Sequence, residues 1–392
     1  MVRALVAGAG IGGLTAALAL ARAGFDVVVY ERAPKLEAFG AGLQLTPNAT
    51  RILADLDALD DVRTLATEPR AIRILRGRDD AVLAHPSLAD AVARWGAPYL
   101  VVHRADLQSA LAREVARRGN IELRFGMEVA GVAEQVDGVA IGLKRGHLTL
   151  RETGDFLIGA DGLRSLARER LGLGDADAAL FSGRVAFRAT ATTERIAARW
   201  TTPEVTLRLG PRAHLVHYPL RAASIVNLVA VIESGWRGEK DGHAWDGEAD
   251  RDALSRAFAH WSRETRDLLD AAESWRAWPL YHRDPIARFA LGRVALLGDA
   301  AHPMVPFLAQ GAAQAIEDAG ALARRLSQTD DIADALSAYS RDRVARAGRV
   351  QREALGQARV YHMSGPMALA RDLAMRAMGP RLLSRYDWLY AA

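Results

Sequence analysis

The first 31 residues alternate short apolar runs with a helix-period segment. Ala4-Leu5-Val6-Ala7 reads as a buried strand, Gly8 to Gly13 as a turn, and Leu14 to Ala23 as a helix. Gly24 stops that helix from the C′ position. Val27-Val28-Val29-Tyr30 is a second buried strand, ending at Glu31. Strand, helix and strand in so few residues form a βαβ unit, which requires a parallel sheet. A Gly/Pro-containing loop over Gly40 to Asn48 follows, then helical pattern from Ala49 to Leu59 and from His103 to Arg118. Ile121 to Phe125, Glu128 to Glu134, Val139 to Lys144 and Phe156 to Asp161 read as strands.

The pattern changes near residue 180. Gly183 to Thr190, Val205 to Leu209, His214 to Leu220 and Ser224 to Ile232 alternate as antiparallel strands do, and the Glu233 to Asp250 loop is polar. Arg293 to Leu297 returns to a buried strand, and from Gln310 the chain reads as helical. The expected organisation is an α/β nucleotide-binding domain over 1–175 with short insertions around 70–100. A mostly antiparallel-sheet domain follows over 176–285. Residues 286–392 return to the first domain and add a helical C-terminus.

Composition narrows the classes. With 392 residues, 50% hydrophobic and 25% charged, the chain matches a globular protein rather than a disordered, collagen-like or multi-span membrane chain. It has no cysteine, which excludes disulfides, thiolate metal sites, iron–sulfur clusters and cysteine nucleophiles, and fits a reducing, cytoplasmic setting. No metal site is expected. The net charge is +4, but the cations are nearly all Arg and are scattered among acids, so no nucleic-acid partner is expected. The uncharged run from Ala4 to Ala21 mimics a targeting or membrane segment. Glycines interrupt it after a few residues, so no membrane span is expected either.

Three segments carry chemistry. Gly8-x-Gly10-x-x-Gly13 follows a strand and precedes a helix, the context of a dinucleotide fingerprint. The glycines give a tight turn, close backbone approach to a pyrophosphate and close helix packing, and the helix amino terminus favours the phosphates. Glu31 is placed for a ribose diol. The motif by itself does not separate FAD from NAD(P). The second segment, Gly159-Ala160-Asp161-Gly162-Leu163-Arg164-Ser165, delivers a carboxylate to a turn. The third runs from Gly292 to Ala312: a strand ends at Gly298-Asp299, Pro303 and Pro306 stiffen a loop, and Gln310-Gly311 opens a helix.

Together these segments resemble the single-component (class A) flavoprotein aromatic monooxygenases, with the para-hydroxybenzoate hydroxylase-like fold and a Rossmann-like FAD domain. The loop around Gly40 to Ala49 and the tail at Tyr361-His362 and Asp387-Trp388-Leu389-Tyr390 are similar to the group of salicylate, 3-hydroxybenzoate and 6-hydroxynicotinate hydroxylases. The resemblance implies FAD held by Gly8, Gly10, Gly13, Glu31, Arg32, Arg104, Asp161 and Asp299, with backbone amides of Gln310, Gly311 and Ala312 at the flavin pyrimidine edge. Pro306 would lie beside the ring where oxygen reacts. NADH or NADPH would reduce the flavin, O2 would be trapped as a C4a-hydroperoxide, and an electron-rich ring of a hydroxybenzoate- or salicylate-like substrate would be hydroxylated.

Candidates for the substrate side come from the strands. His214 and Tyr218 are four residues apart and face one way on a strand, while His217 faces the other. Arg188 has the geometry to pair a substrate carboxylate, and Gln44 is a further pocket candidate. His302 is near the flavin loop in sequence, with a structural hydrogen bond as its alternative role. Phe307 makes that loop apolar beside the substrate. Gln314 stands where relatives often have an apolar residue. Alternatives are the same chemistry on a hydroxypyridine, a flavin halogenase, or a non-catalytic flavin sensor. The halogenase signature Trp-x-Trp-x-Ile-Pro is absent; Trp275-Arg276-Ala277-Trp278-Pro279 has the wrong spacing. A monomer or homodimer is expected.

Overall fold

The computed structural model describes residues 2–36, 41–172, 178–235, 247–248 and 251–391. Gly40 and most of the 233–250 loop singled out above lie outside the described residues.

The Arg3–Ala7 strand, Ile11–Arg22 helix and Asp26–Glu31 strand form the expected βαβ unit. They sit in a six-stranded sheet whose order is Ala290–Leu291, Val294–Leu296, Phe156–Gly159, Arg3–Ala7, Asp26–Glu31, Ile121–Phe125. All neighbours are parallel except the first pair, a short hairpin. Parallel strands covered by helices on both faces need apolar residues throughout, and Ala4 to Ala7 and Val27 to Tyr30 are all buried. Register brings the three chemical motifs side by side. Ala7 pairs with Gly159, and Gly159 with Leu296, so the turns after them open at the same edge of the sheet. That edge, outside the carboxyl ends of parallel strands, is where open α/β sheets bind ligands.

The second large sheet has eight strands. Leu180–Thr192, Glu204–Gly210, Ala213–Leu220 and Ile225–Glu233 match the alternating segments read from the sequence. One face packs on the Arg251–Phe258 and Arg263–Asp270 helices through Trp200, Trp261 and Trp275. Two further strands, Ala71–Arg76 and Val82–Ala84, extend this sheet from the amino-terminal half. Ala71–Arg76 joins in parallel against Glu204–Gly210. Local pattern could not assign it, because its partner lies some 130 residues away.

Other boundaries moved for local reasons. The helix expected over 49–59 is broken into Pro47–Asp55 and Leu59–Arg63, with Asp57 at φ 61. Aspartate tolerates that left-handed conformation better than most residues. The carboxyl-terminal part is helical as expected, with Gly311–Leu326, Ile332–Tyr361 and Gly365–Met378. The tail is tied down by polar contacts. The Asp387 carboxylate accepts from Trp95 Nε1 at 2.8 Å and from Arg94 at 2.9 Å, and Arg51 donates to the Tyr390 carbonyl at 3.0 Å.

Candidate functional site

Between the two sheets lies a cavity of about 710 Å³. Its walls include Gly8, Gly10, Glu31, Arg32, Arg104, Asp161, Asp299, Gly311 and Ala312 from the cofactor candidates, and Gln44, Arg188, His214, Tyr218 and Pro306 from the others. Gly13 and the Gln310 side chain do not line it.

The glycine turn is built for close approach. Gly8 has φ +103, and a Cβ there would meet the Ala160 carbonyl oxygen at 2.5 Å. A Cβ on Gly13 would meet the Gly8 carbonyl oxygen at 1.9 Å, so Gly13 closes the turn onto the helix instead of touching the cavity. Glu31 holds the same turn. Its Oε2 accepts from Ala9 N at 2.9 Å and its Oε1 from Ala33 N at 2.9 Å. Each carboxylate oxygen keeps a second lone-pair position for a further donor.

Asp161 is divided in the same way. Its Oδ2 accepts from Leu166 N at 2.8 Å and Ala167 N at 3.2 Å, which caps the Leu166–Glu169 turn, while its buried Oδ1 has no partner. Asp299 is exposed on the Gly298–Ala300 turn, and Arg104 is exposed at the start of the Arg104–Arg117 helix. Neither side chain has a hydrogen bond or ion pair among the described residues. Two groups behind the turns, one buried and one half-buried, were not legible in the sequence. Arg168 donates to the carbonyls of Ala300 and Ala301 at 2.8 and 2.9 Å, and Gln108 donates to that of Ala9 at 2.8 Å.

Under the flavin-loop segment lies a buried polar cluster. Gln310 donates to Thr46 Oγ1 at 2.9 Å and accepts from Gln314 at 3.1 Å. Arg343 donates to Gln314 Oε1 at 2.8 Å, Glu317 at 2.7 Å and Asp318 at 2.6 Å. Asp318 Oδ2 also accepts from Gly298 N at 2.8 Å and pairs with His302 Nε2 at 2.6 Å. Burial alone would raise the Asp318 carboxyl, but His302 and Arg343 outweigh it and hold its pKa at about 2. His302 is held inside this cluster, and Gln314 completes it through Gln310, Glu317 and Arg343.

Beside the cavity lies a second chamber of about 350 Å³, lined by Gln44, His214 and Pro306 but not by Arg188 or Tyr218. It shares Gln44, His214, Val216, Pro306 and Ala309 with the larger cavity, and is otherwise mostly apolar, with Ile72, Leu207, Phe307 and Tyr361 among its walls. Ala309, at the junction, adopts φ +53, a conformation that costs a non-glycine residue about 1–2 kcal/mol. Gln44 accepts from the Tyr99 hydroxyl at 2.5 Å. Tyr218 is buried against Gly42 and its hydroxyl makes no hydrogen bond among the described residues. Burial, only partly offset by Arg188, pushes its pKa far above the ordinary tyrosine value. Arg188 lies over Trp278 at 5.3 Å with a buried Nε that has no partner. Burial lowers its pKa, Tyr218 raises it and Arg104 lowers it. His217 faces away, as its spacing predicts, and contacts Arg208 at 3.1 Å.

His214 is buried, and its Nδ1 lies 2.8 Å from His362 Nε2. Burial first, then His362 and Arg184, push its pKa well below the ordinary histidine value, so the ring is neutral at neutral pH. His362 belongs to the tail segment noted in the sequence, but its pairing with His214 across 148 residues was not legible there.

These residues fit FAD. The turn closes only because Gly8 and Gly13 lack side chains, the space beside Gly10 is open to a pyrophosphate, and two buried polar atoms of residues lining the same cavity, Asp161 Oδ1 and Arg188 Nε, have no protein partner.

The comparisons agree. Residues 1–354 match the FAD binding domain family. The 3-amino-4-hydroxybenzoate 2-monooxygenase PtnB3 of Streptomyces platensis is 38% identical over 99% of this chain and 95% of its own. The 3-hydroxybenzoate 6-hydroxylase 1 of Aquipseudomonas alcaligenes is 36% identical over 98% of this chain and 96% of its own. The crystal structure of Klebsiella pneumoniae HpxO with FAD and uric acid superposes with a TM-score of 0.87 at 28% identity, covering 99% of this chain and 96% of that one. The chain belongs to the FAD binding domain family, among its FAD-dependent aromatic-ring monooxygenases.

Proposed function

We propose that this enzyme hydroxylates a small phenolic ring of the hydroxybenzoate class, with NADH or NADPH as reductant. The observation that carries the proposal is the continuity of the two chambers through Gln44, His214, Val216, Pro306 and Ala309. An apolar space sized for an aromatic ring opens directly onto the space that accepts the flavin. FAD, once bound, takes up reducing equivalents from the nicotinamide cofactor and activates O2.

The protein's part is placement and charge. Gly8, Gly10 and the start of the Ile11–Arg22 helix would receive the pyrophosphate, with Arg104 as its cation. Glu31, with Arg32 beside it, would take the ribose diol. Asp161 and Asp299 would accept from the remaining hydroxyls. Gly311 and Ala312, at the amino end of a 16-residue helix, would offer N–H groups to the electron-rich ring edge. Gln310 contributes only its backbone, because its side chain belongs to the buried cluster.

On the substrate side, neutral His214 accepts the phenol proton, which raises ring electron density. The Tyr218 hydroxyl donates to the resulting oxygen. Arg188 is placed for a negatively charged substituent, Gln44 for a polar one. Pro306 and Phe307 keep water from the ring. An apolar wall also suits other phenols and hydroxypyridines, which the assay discriminates. Among the described residues no helix is long and apolar enough to cross a membrane. We place the enzyme in the cytoplasm as a monomer or homodimer.

The test is NADH and NADPH oxidation by the yellow protein over a panel of hydroxybenzoates and hydroxypyridines, with peroxide and product quantified together. Substrate-stimulated oxidation with hydroxylated product is expected. Stimulation that yields only peroxide for every compound would remove the hydroxylase assignment. Asp299→Ala should lose FAD on gel filtration, read by absorbance; full flavin occupancy would remove that residue from the cofactor site.

A further inference from the structure

His214 does not end its hydrogen-bonding path at its partner ring. His362 follows the carboxyl end of the Ile332–Tyr361 helix and is buried. Its Nε2 faces His214 Nδ1 at 2.8 Å, and its Nδ1 lies 3.4 Å from Glu233 Oε1. Glu233 reaches solvent: its side chain is 30% exposed and pairs with the largely exposed Arg212 at 3.2 Å. The path therefore runs from the chamber wall through two buried rings to a wet carboxylate. His214 Nε2, the only ring nitrogen left over, has no hydrogen bond among the described residues. The ring itself lines both chambers, packed between Phe307 at 5.4 Å and Tyr361 at 5.2 Å.

We infer that His214, His362 and Glu233 form a proton relay that carries the phenol proton of a bound substrate from the buried chamber to solvent. The inference rests on the aromatic-hydroxylase reading and assigns His362 and Glu233 roles beyond it.

The proton count closes. Both rings are neutral at neutral pH: burial and then Arg184 hold His362 down at about 4, against the upward pull of Glu233. Two neutral imidazoles in contact share one hydrogen, and two arrangements exist. In the first, His214 Nδ1–H donates to His362 Nε2, His362 Nδ1–H faces Glu233, and His214 Nε2 is a bare acceptor towards the substrate. The phenol O–H bond breaks as His214 Nε2 takes the proton. His214 Nδ1 then releases its hydrogen to His362 Nε2, and His362 Nδ1 releases its own to the Glu233 carboxylate, which passes it to water. The pair is left in the second arrangement, in which His214 Nε2–H donates to the new phenolate. No ring is charged before or after.

The surroundings support both arrangements. Arg184 Nε lies 3.4 Å from His362 Nδ1, so it donates to that nitrogen once the nitrogen has lost its hydrogen. Arg184 also pairs with Glu233 at 3.5 Å. Arg212 N donates to the His362 carbonyl at 3.2 Å and anchors the ring's backbone. Arg359 bears on Arg184, and Arg371 adds a further positive field, but Arg371 is itself paired with Asp372 at 2.7 Å. Burial first, and then the cations around His362, which outnumber its one acid, keep a proton from resting on either ring.

Proton release on mixing the FAD-loaded enzyme with a hydroxybenzoate, followed by stopped flow with a pH indicator and by phenolate absorbance, tests the relay. His362→Gln is expected to slow release by about tenfold or more, with substrate affinity unchanged, and added imidazole is expected to restore the rate. Glu233→Gln, which keeps the side chain's size at a half-buried position, should slow it less and flatten its pH dependence. Wild-type release rates in both variants, with native FAD content and product formation, would overturn the relay alone. A wild type that binds and hydroxylates no phenol would overturn the relay together with the reading it rests on.

Discussion

Two buried polar clusters border the same cavity system, and they are built in opposite ways. The cluster of Asp318, Glu317, Arg343 and His302 is ionic and saturated. Asp318 alone accepts from His302, Arg343 and the Gly298 amide, and Glu317 is bound by Arg343 and twice by Arg346. Burial would raise Glu317, but Arg346 and Arg343 overcome it and leave it ionised. The pair of His214 and His362 is neutral, with an open position at His214 Nε2 and a guanidinium and a carboxylate facing His362 Nδ1. The first cluster holds still: it ties the Gly298 turn, the Thr46-to-Asn48 loop and the long carboxyl-terminal helices into one frame. The second can change protonation pattern without changing charge. A buried charge is expensive to move and therefore positions well, whereas a neutral imidazole exchanges its hydrogen cheaply and therefore transfers well.

The contrast is broken most severely by Arg343→Ala. It would leave two buried carboxylates each short of one cation, and a loss of about 3–5 kcal/mol is expected. Urea denaturation of the apoprotein measures it. His362→Gln, an uncharged replacement, should cost only about 1 kcal/mol in the same assay. Equal losses in the two variants would mean that the clusters do not differ in kind.

Acid titration separates the clusters by pH window. Burial depresses His214 and His217 well below 6.5, and His362 to about 4, so the unfolded chain takes up protons that the folded rings refuse. Stability is therefore fully present above about pH 6.5 and falls as pH drops towards 4, by at most about 1.4 kcal/mol per unit for each ring. Asp318 has the opposite chemistry. Its folded value of about 2 lies below the ordinary 3.8, so its contribution is complete above that value and is lost as pH falls through about 2. That contribution is about 2 kcal/mol. Stability measured from pH 7 down to 2 should show two declines, and His362→Gln should flatten only the upper one. An unchanged upper slope would remove His362 from the group of buried neutral rings.

A single amide sharpens the comparison from the ionic side. Gln314→Leu removes one acceptor from Arg343 and one donor to Glu317 while preserving volume, so a loss of about 1–2 kcal/mol is expected. No loss would make the cluster a network of charges alone, with its amide dispensable.

Most residues that line the nucleotide side of the cavity were legible in the sequence, and those on the substrate side only in part. Glu31 ends a buried strand, and Gly8, Asp161 and Asp299 lie within three residues of the end of one, so a strand pattern and a turn residue suffice to find them. His214 and Tyr218 were legible as a pair on one strand face, because period-2 geometry is local. Their surroundings were not. Neither the His362 contact nor the Ala71–Arg76 strand has a signal within ten residues of its partner, and nothing around Arg343 or Asp318 distinguishes them from other charged helix residues. Gly13 shows how a motif glycine can serve packing of the turn and not contact with the cavity.

The chain's amino-acid order was enough to establish the parallel sheet, the antiparallel sheet, the helical end and the nucleotide turn, since each depends on backbone preferences and apolar spacing over a few residues. Which strand joins which sheet, which side chains share the chambers, and which polar groups are ionised or neutral were decided by folding. Those properties depend on burial and on neighbours contributed by distant segments, and a desolvated group takes its charge state from whatever the tertiary structure sets beside it.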